Sequence, residues 1–392
     1  MNRSGKNIVW LTEWLPTPLE PYAGDGIERR AKAASLYNNI FIIYVKKNPH
    51  LRFGKTEFNE RIYNDHCRAF IYFYPSIKKF SRFFDFFLSN YYFARLHFKA
   101  LRIFKKKYGK PSGIQVNVAM KNGIIALYCK WIWKIKYIVV EGWSLFLPEE
   151  KPQFKDKNRL FRFFTCKVLK RASLLVTVSK HLGEMINRYI IKVPYKVIPS
   201  VVDQTIFFPA GNPVKHDVFR FIHISNLTRA KNIQQILLAL KKTLSYGCHA
   251  ELIIYAPVNA TLKEQISLLN LEKNIVLNDE AGQPVLADAI RASDALILFS
   301  LYETFGNVII EAQACGLPVI TSDYPTFFET VENNVNGIIA RGRDASALAE
   351  AMIYCIQNQN KFDWYKIAAD AIQRYSFENI GKRFDEVYTD YF

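Results

Sequence analysis

The stretch "SLYETFGNVIIEAQACGLPVITSD", residues 300–323, contains a strand end, a helix and the next strand. The run "DALILFS" (294–300) predicts a buried strand because it is short and apolar. "GNVIIEAQAC" predicts a helix whose apolar face consists of Val308, Ile309, Ala312 and Cys315. Gly316 suits the position after a helix, and Pro318 stops the helix before the strand "VIT". Such a strand–helix–strand unit predicts a parallel sheet.

The same alternation recurs on both sides of this stretch. Four apolar runs precede residue 200: "IVWL" (8–11), "IFIIYV" (40–45), "YIVV" (137–140) and "LLVTV" (174–178). After residue 215 the pattern restarts with "FRFIHI", "ELIIYA", "NIVLN", "DALILF" and "PVIT". The segment "DQTIFFPAGNPVKHD" (203–217) has the Pro and Gly content of a linker. We therefore predict an α/β fold with two doubly wound domains in series, each binding ligands beyond the carboxyl ends of its strands.

The composition restricts the class of protein. The chain has 392 residues, half of them hydrophobic, which is enough for two cores. Residues 1–200 hold 37 Lys and Arg against 13 Asp and Glu, whereas residues 201–392 hold 16 against 22. A basic half can face nucleic acid, an anionic membrane or a phosphorylated substrate. The six cysteines lack paired spacing, which indicates a reducing compartment, and we expect neither a signal peptide nor a membrane span.

Two carboxylates, Glu303 and Glu311, flank "TFGNVII". We expect Glu303 in the loop after the strand and Glu311 about two turns into the helix. Backbone N–H groups around Phe305, Gly306 and Asn307 would favour an anion such as a diphosphate at the positive end of this helix. If all eight steps between the two acids were helical, the acids would lie about 12 Å apart along the axis. That spacing suits the two ends of a nucleoside diphosphate sugar better than joint acid–base work on one bond.

These residues resemble the family 4 glycosyltransferases, retaining enzymes with two facing Rossmann-like domains, the GT-B fold, and an interdomain cleft. Residues 300–323 are similar in order and spacing to that family's S-x-x-E-x-F-G-x-x-x-x-E-A-x-A-x-G-x-P-V-I-x-[ST]-D. "FFETVENNVNGIIA" is similar to its P-E-x-V-x-x-x-x-N-G-x-L, with Phe328 where Pro is usual. The resemblance implies an acceptor-binding domain over 1–205, a nucleotide-sugar-binding domain over 206–375, and a C-terminal helix over 376–392 that crosses back to the first domain.

The resemblance also implies roles for single residues. Glu303 would contact the donor sugar and Glu311 the ribose, and the rest of the donor site would come from Phe305, Gly306, Asn307 and Val308. In "HISNLTRAKNIQQILLAL" (223–240), Lys231 would neutralise the leaving diphosphate. Asn226 stands where the family carries Arg, so either Arg229 compensates or the diphosphate depends on Lys231 alone. The alternative is that these are solvated turn and surface residues.

In the basic half, "EWLPTPLEPYAGDGIERRAKAASL" (13–36) looks like the family's glycine-rich loop, with Gly24 and Gly26 near the donor phosphate. Arg29 and Arg30 would meet an anionic acceptor or form the solvent face of the helix. Gly142 stands where relatives have a His near the reacting centre. A front-face retaining mechanism uses the leaving phosphate as the base, so this change need not abolish the reaction. Similar segments at 176–182 and 197–203 would lie near the crossover, with Ser200 replacing Asn.

The segment 77–110 mixes cations with aromatic residues at helical spacing, namely Phe80, Phe84, Phe87, Tyr91 and Phe98. This spacing favours a core position, and an interfacial surface near an anionic membrane is the alternative. The resemblance implies a nucleotide-sugar donor, a glycan or lipid-linked acceptor, no cofactor and no nucleic acid. The seven histidines show no metal-ligand pattern, so we expect no metal. Together with the basic N-terminal half, the resemblance implies an enzyme of surface polysaccharide or lipopolysaccharide synthesis, cytoplasmic or peripheral at the inner face of the membrane.

Three other functions fit parts of the sequence. A nucleotide-sugar epimerase shares the predicted architecture. A non-catalytic nucleotide-sugar-binding protein would explain the departures at Gly142 and Asn226. A nucleic-acid-binding protein would use the basic half, and its affinity would fall steeply with salt.

Overall fold

A computed structural model describes residues 5–76, 82–209, 211 and 216–392. The predicted linker 203–217 lies partly outside these residues, as do Phe80 and the first four residues of the chain. The chain forms two compact units. The N-terminal unit comprises Met1–Val178, Leu182–Val201 and Phe377–Phe392. The C-terminal unit comprises Ser179–His181 and Val202–Ser376.

One eight-stranded sheet forms the centre of the N-terminal unit. Its strands are β1 (Asn7–Thr12), β2 (Asn39–Asn48), β3 (Glu57–Asn64), β4 (Cys67–Pro75), β5 (Gly113–Asn117), β6 (Tyr137–Glu141), β7 (Leu175–Thr177) and β8 (Tyr195–Val197). Their order is β3-β4-β2-β1-β5-β6-β7-β8, and all neighbours are parallel except β3 and β4. The helices of this part are α1 (Asp25–Ala34), α2 (Arg82–Tyr108), α3 (Asn122–Trp133), α4 (Arg159–Arg171) and α5 (Lys180–Tyr189).

A six-stranded parallel sheet forms the centre of the C-terminal unit. Its strands are β9 (Phe219–Ile224), β10 (Ala250–Tyr255), β11 (Ile275–Asn278), β12 (Ala295–Leu298), β13 (Val319–Thr321) and β14 (Gly337–Ile339), in the order β11-β10-β9-β12-β13-β14. Its helices are α6 (Ile233–Ser245), α7 (Ala260–Leu268), α8 (Gln283–Arg291), α9 (Asn307–Ala314), α10 (Ala345–Gln357) and α11 (Trp364–Tyr375).

The last helix, α12 (Phe377–Tyr391), belongs to the N-terminal unit. It packs on α1 and on the first strand of the sheet. The rings of Trp10 and Phe384 lie 6.0 Å apart, and the Trp10 indole N–H donates to the Tyr388 hydroxyl at 3.1 Å. Gly381 lies so close to the Ala33 carbonyl that a side chain at 381 would overlap it. The end of the chain is therefore part of the N-terminal core.

The predicted class of two doubly wound α/β domains is confirmed. All nine predicted apolar runs contain a strand, and residues such as Ile8, Val9 and Leu11 are fully buried, as expected for sheets covered on both faces. The strand order reverses between β1 and β5 in one sheet and between β9 and β12 in the other. Loops that follow these strands lie at the point where doubly wound domains bind ligands.

The predicted core position of the α2 aromatics is wrong for three of them. Phe84, Phe87 and Tyr91 are 57%, 57% and 56% exposed. The residues of α2 that are buried instead are Tyr92, Phe93, Leu96, His97, Ala100, Leu101 and Phe104. One buried stripe of a helix cannot hold all the aromatic residues of α2. The others therefore face outward.

Candidate functional site

In the C-terminal unit, the loops after β9 and β12 meet at the point where the strand order reverses. The Leu301 N–H donates to the Ala230 carbonyl at 2.7 Å. Beside this bond, Lys231 Nζ lies 2.5 Å from Glu303 Oε2, and their side chains are 20% and 15% exposed. The structure therefore brings together two residues that are 72 positions apart and that the sequence predicted at one site. A cation and a carboxylate placed side by side can bind a phosphate and a hydroxyl group of one ligand.

The loop after β9 is anchored by a buried histidine that the sequence analysis missed. His223 Nδ1 donates to the Ile297 carbonyl at 2.9 Å, and the Ser225 hydroxyl donates to His223 Nε2 at 2.8 Å. The same Ser225 oxygen accepts from the Leu227 N–H at 3.2 Å. Burial lowers the pKa of His223 to about 4; the bond to Ile297 raises it, and the charge of Lys231 lowers it. The imidazole is therefore neutral at pH 7 and positions the segment that carries Lys231.

The helix after Glu303 begins in the predicted way. Gly306 is the N-cap of α9 with φ +82°, and no side-chain cap closes the helix start. A Cβ at this position would lie 3.1 Å from side-chain atoms of both Leu298 and Ile309. Asn307 is exposed and Val308 is half-buried, so both stand at the accessible end of the helix. The first N–H groups of α9 can thus face an anion.

The far end of α9 confirms the predicted helix stop. The Leu317 N–H donates to the Ala312 carbonyl and the Gly316 N–H to the Gln313 carbonyl, which together form a Schellman motif. The predicted apolar face is correct for Ile309, Ala312 and Cys315, which are fully buried. It is wrong for Val308, because this residue lies in the open first turn.

Glu311 lies in the second turn of α9 and is 8% exposed. Glu303 precedes α9 in a loop, as predicted, because the helix begins at Asn307, and the eight steps between the two acids are therefore not all helical. Four helical steps separate Asn307 from Glu311, about 6 Å of rise, and Glu303 precedes them in a loop. Glu303 is held there by the Thr326 hydroxyl, which donates to its carbonyl at 2.9 Å. Phe305 is 4% exposed and packs against Tyr375, so its ring belongs to the core.

Arg229 and Asn226 occupy the outer part of the same loop, and both are exposed. Arg229 lines a pocket of about 490 Å³ between the starts of α6 and α7. Amide and hydroxyl side chains supply most of its polar lining: Thr228, Asn232, Gln234, Asn259, Thr261 and Gln265. This lining can hydrogen-bond to a polar, uncharged part of a ligand, while Arg229 can contact an anion.

In the N-terminal unit, the glycine-rich loop differs from the prediction. Gly24 ends the loop with φ +78°, and a side chain there would overlap the Trp14 carbonyl. Gly26 lies inside α1, because the helix begins at Asp25. Arg29 and Arg30 do not form a solvent face: they are 3% and 8% exposed.

The two arginines of α1 are part of a buried polar cluster. Arg29 Nη2 donates to Asp25 at 2.8 Å, and Arg30 Nε donates to the Gly26 carbonyl at 3.2 Å. Burial lowers the pKa of Arg30 to about 10, and the charge of Arg29 lowers it as well. Amphipathic periodicity could not reveal this burial, since it assigns charged side chains to the outer face.

Glu141 ends β6, is fully buried, and was not singled out by the sequence analysis. Its Oε1 accepts from the Ala119 N–H at 2.6 Å. Burial raises its pKa to about 7, although N–H groups of Ala119, Trp143 and Gly142 and the charge of Arg30 act in the opposite direction. At Gly142 itself, an added Cβ would lie 3.2 Å from Val178.

Within the described ranges, no group of three or more His, Cys, Asp or Glu side chains is arranged to hold a metal ion. In the same part of the chain, no helix is both long enough and apolar enough to cross a membrane.

Comparison with known proteins finds a family match within the C-terminal unit. Residues 205–371 match the family of glycosyl transferases group 1. Among curated relatives, the alpha-monoglucosyldiacylglycerol synthase of Streptococcus pneumoniae is 24% identical over 265 residues, which cover 62% of this chain and 58% of the relative. The N-acetyl-alpha-D-glucosaminyl L-malate synthase of Bacillus anthracis is 24% identical over 173 residues, 43% of this chain and 45% of the relative. The chain thus spans about half the length of the curated relatives it matches.

Solved structures match the fold over nearly the whole chain. A sucrose-phosphate synthase from Thermosynechococcus elongatus has a TM-score of 0.80 at 18% identity and covers 98% of this chain and 99% of its own. HepE from Anabaena, solved in complex with UDP and glucose, has a TM-score of 0.72 at 16% identity, with 98% and 100% covered. At these identities the likeness concerns the fold, which is the predicted pair of Rossmann-like domains.

Proposed function

We propose, from the match of residues 205–371 to glycosyl transferases group 1, that this chain is a retaining glycosyltransferase of the family 4 type. It transfers a sugar from a nucleoside diphosphate sugar to a glycan or lipid-linked acceptor. The C-terminal unit holds the donor and the N-terminal unit the acceptor. The pathway that fits is surface polysaccharide or lipopolysaccharide assembly at the cytoplasmic face of a membrane.

The observation that carries this proposal is the contact between Lys231 and Glu303 beside the open start of α9. Lys231 binds the diphosphate, and Glu303 binds hydroxyl groups of the sugar. Glu311, one helical turn beyond Asn307, binds the ribose. The pocket next to Arg229 offers amide groups to the remaining polar part of the donor.

The proposed reaction breaks the bond between the anomeric carbon and the diphosphate oxygen. The acceptor oxygen forms the new bond on the same face of the sugar, and its proton passes to the leaving diphosphate. Negative charge on the diphosphate grows as the bond breaks, so the Lys231 ammonium stabilises the transition state more than the bound donor. No group of this chain has to act as the base, which is compatible with Gly142 in place of a His.

A non-catalytic nucleotide-sugar-binding protein is the second candidate, and Gly142 favours it. A His side chain at 142 would start from a Cβ only 3.2 Å from Val178, so this position is also sterically tight. The two candidates differ in turnover. A transferase releases nucleoside diphosphate when donor and lipid or glycan extract are combined, whereas a binding protein only retains the donor.

Membrane attachment is supported by one face of the N-terminal unit. We call it the α2–α4 face, and its exposed apolar residues are Phe84, Phe87, Tyr91, Tyr128, Trp131, Leu160 and Phe163. The Phe98 and Tyr128 rings, 4.8 Å apart, join α2 to α3, and Lys130 Nζ donates to the Arg171 carbonyl to join α3 to α4. The last turn of α2 adds Lys105, Lys106 and Lys107. Exposed aromatics among cations suit an anionic lipid surface.

Vesicle flotation tests the membrane proposal. The full chain should float with phosphatidylglycerol-containing vesicles and not with pure phosphatidylcholine vesicles. The double variant Trp131→Glu/Phe163→Glu should lose flotation, whereas Leu268→Glu, an equally exposed position in the C-terminal unit, should retain it. Flotation of the double variant to the wild-type extent would contradict the proposal.

A ligand panel followed by a transfer assay tests the function itself. Nucleoside diphosphates and their sugars should raise the unfolding temperature, because a ligand that binds only the folded state stabilises it by mass action. The donor that gives the largest shift is then incubated with lipid and glycan extracts, with and without EDTA. The proposal expects product of retained anomeric configuration in both cases. Epimerised donor formed without acceptor, or no shift with any nucleotide, would contradict it.

A further inference from the structure

The connection from β6 to α4 in the N-terminal unit encloses an apolar pocket of about 230 Å³. Its wall is formed by Leu145, Phe146, Leu147, Phe154, Tyr189 and Ile190. The first three of these side chains are at most 3% exposed, whereas Tyr189 at the rim is 54% exposed. The pocket thus has a buried apolar floor and an open mouth.

Hydrogen bonds within the connection satisfy its polar groups, including those of Gln153, which lines the pocket. The Ser144 hydroxyl donates to Glu150, and the Gln153 side chain donates to the Pro148 carbonyl, both at 2.5 Å. The Gln153 N–H donates to Asp156 at 2.8 Å. Because these groups are already satisfied, the apolar wall of the pocket favours an apolar guest.

The connection that lines the pocket starts at the ligand-binding edge of its sheet. The connection begins directly after Glu141, at the carboxyl end of β6. Trp143 packs edge-on against Trp14, with ring centroids 5.8 Å apart, and Trp14 belongs to the loop that ends at Gly24. The loops after β1 and β6 therefore contact each other, and the connection that lines the pocket starts at this contact.

The mouth of the pocket is cationic. Lys155 lines it and is exposed, and the described residues include no ion-pair partner for this ammonium group. The nearest acids in the chain, Glu150 and Asp156, accept hydrogen bonds within the connection itself. A ligand with a hydrocarbon chain and an adjacent phosphate matches this combination of an apolar floor and a positive rim.

We propose that this pocket holds the first part of the hydrocarbon chain of a phosphate-bearing lipid, with the phosphate at Lys155. The inference rests on the proposed transferase function, for which it specifies the acceptor class. Acyl and prenyl chains share the required chemistry. The apolar wall binds the chain by burying its surface, and Lys155 fixes the position of the head group.

Alkyl phosphates of increasing length test this assignment by calorimetry on the full chain. Butyl, hexyl, octyl and dodecyl phosphate are used below their critical micelle concentrations. Affinity should rise about fourfold per added methylene and then level off when the chain fills the pocket. Lys155→Glu should weaken binding of all four, whereas Lys151→Glu, the same charge change outside the pocket wall, should not. Affinity that is independent of chain length, or equal loss in both lysine variants, would overturn the proposal.

Two variants in the pocket wall test the assignment, and nucleotide binding shows that each variant is folded. Ile190→Trp should fill the pocket and abolish the chain-length dependence, and Tyr189→Asp should weaken binding through an anion at the mouth. Leu268→Trp on α7 should leave binding unchanged. Nucleoside diphosphate binding is measured in the same samples and should be unchanged in every variant. If nucleotide binds but no alkyl phosphate does, the pocket assignment fails while the proposed function stands; if nucleotide binding fails too, the proposed function fails.

Discussion

At the carboxyl ends of their strands, the two sheets carry loops of opposite character. In the C-terminal unit, Lys231 and Glu303 pair at the surface, where a ligand can reach both. In the N-terminal unit, Glu141 and Arg30 are buried, and the connection that follows Glu141 lines the apolar pocket with Lys155 at its mouth. One fold therefore supplies two different binding chemistries. The charged edge suits a nucleotide sugar, and the apolar edge suits a lipid.

The largest expected effect is at the charged edge. Lys231→Ala should lower turnover about 100- to 1000-fold, because it removes a cation that stabilises the developing diphosphate charge. Nucleotide affinity should fall much less, since the start of α9 still binds the phosphates. Steady-state rates and calorimetric affinities check this, with Lys241→Ala, which removes an exposed cation later on α6, as the matched control. A change in KM alone would contradict the assigned role.

The next largest effect is expected at Glu141, the buried carboxyl at the end of β6. The pKa of Glu141 is raised by burial to about 7, so the folded state keeps this proton above the pH at which the unfolded chain loses it. Wild-type stability should therefore decrease by about 3 kcal/mol between pH 4.5 and 7 through this group. Glu141→Gln should gain stability relative to wild type over that range.

Urea unfolding at several pH values measures the Glu141 effect. Tryptophan fluorescence follows the relevant unit, because five of the six tryptophans lie in it. A constant difference between Glu141→Gln and wild type from pH 4.5 to 7 would show that the carboxyl ionises normally.

A smaller effect is expected at Gly306. Gly306→Ala should cost about 1 to 2 kcal/mol, because an L-residue is strained at φ +82°. A backbone movement that relieves this strain also displaces the start of α9, so nucleotide affinity should fall together with the unfolding temperature. Gly211→Ala, where no atom lies within 4 Å of an added Cβ, is the control. Unchanged nucleotide affinity in a destabilised Gly306→Ala would separate this helix start from the donor site.

The C-terminal unit was predictable because its signals are local. Gly306, Gly316 and Pro318 punctuate the chain at the ends of α9, and alternating strands and helices place Lys231 and Glu303 on the same sheet edge. What remained hidden was His223, because a histidine inside an apolar strand gives no sign of its partners.

The N-terminal unit was less predictable because tertiary contacts determine it. The four apolar runs recognised before residue 200 did not include the segments that form β3, β4, β5 and β8. Arg29 and Arg30 follow a surface pattern but are buried on α1, which packs against α12, a helix from the other end of the chain. The apolar pocket depends on the packing of Tyr189 and Ile190 against a connection 40 residues earlier, which no local pattern reveals.

Ribose recognition by Glu311 tests the central claim most directly. UDP and GDP are titrated into wild type and Glu311→Ala, each alongside its 2′,3′-dideoxy analogue. Because a hydrogen bond to a charged group is worth about 1.5 to 3 kcal/mol, wild type should prefer the ribonucleotide it binds by about 10- to 100-fold. Glu311→Ala should show no preference while remaining folded. A preference that persists undiminished in Glu311→Ala would contradict the assignment of the donor site to α9.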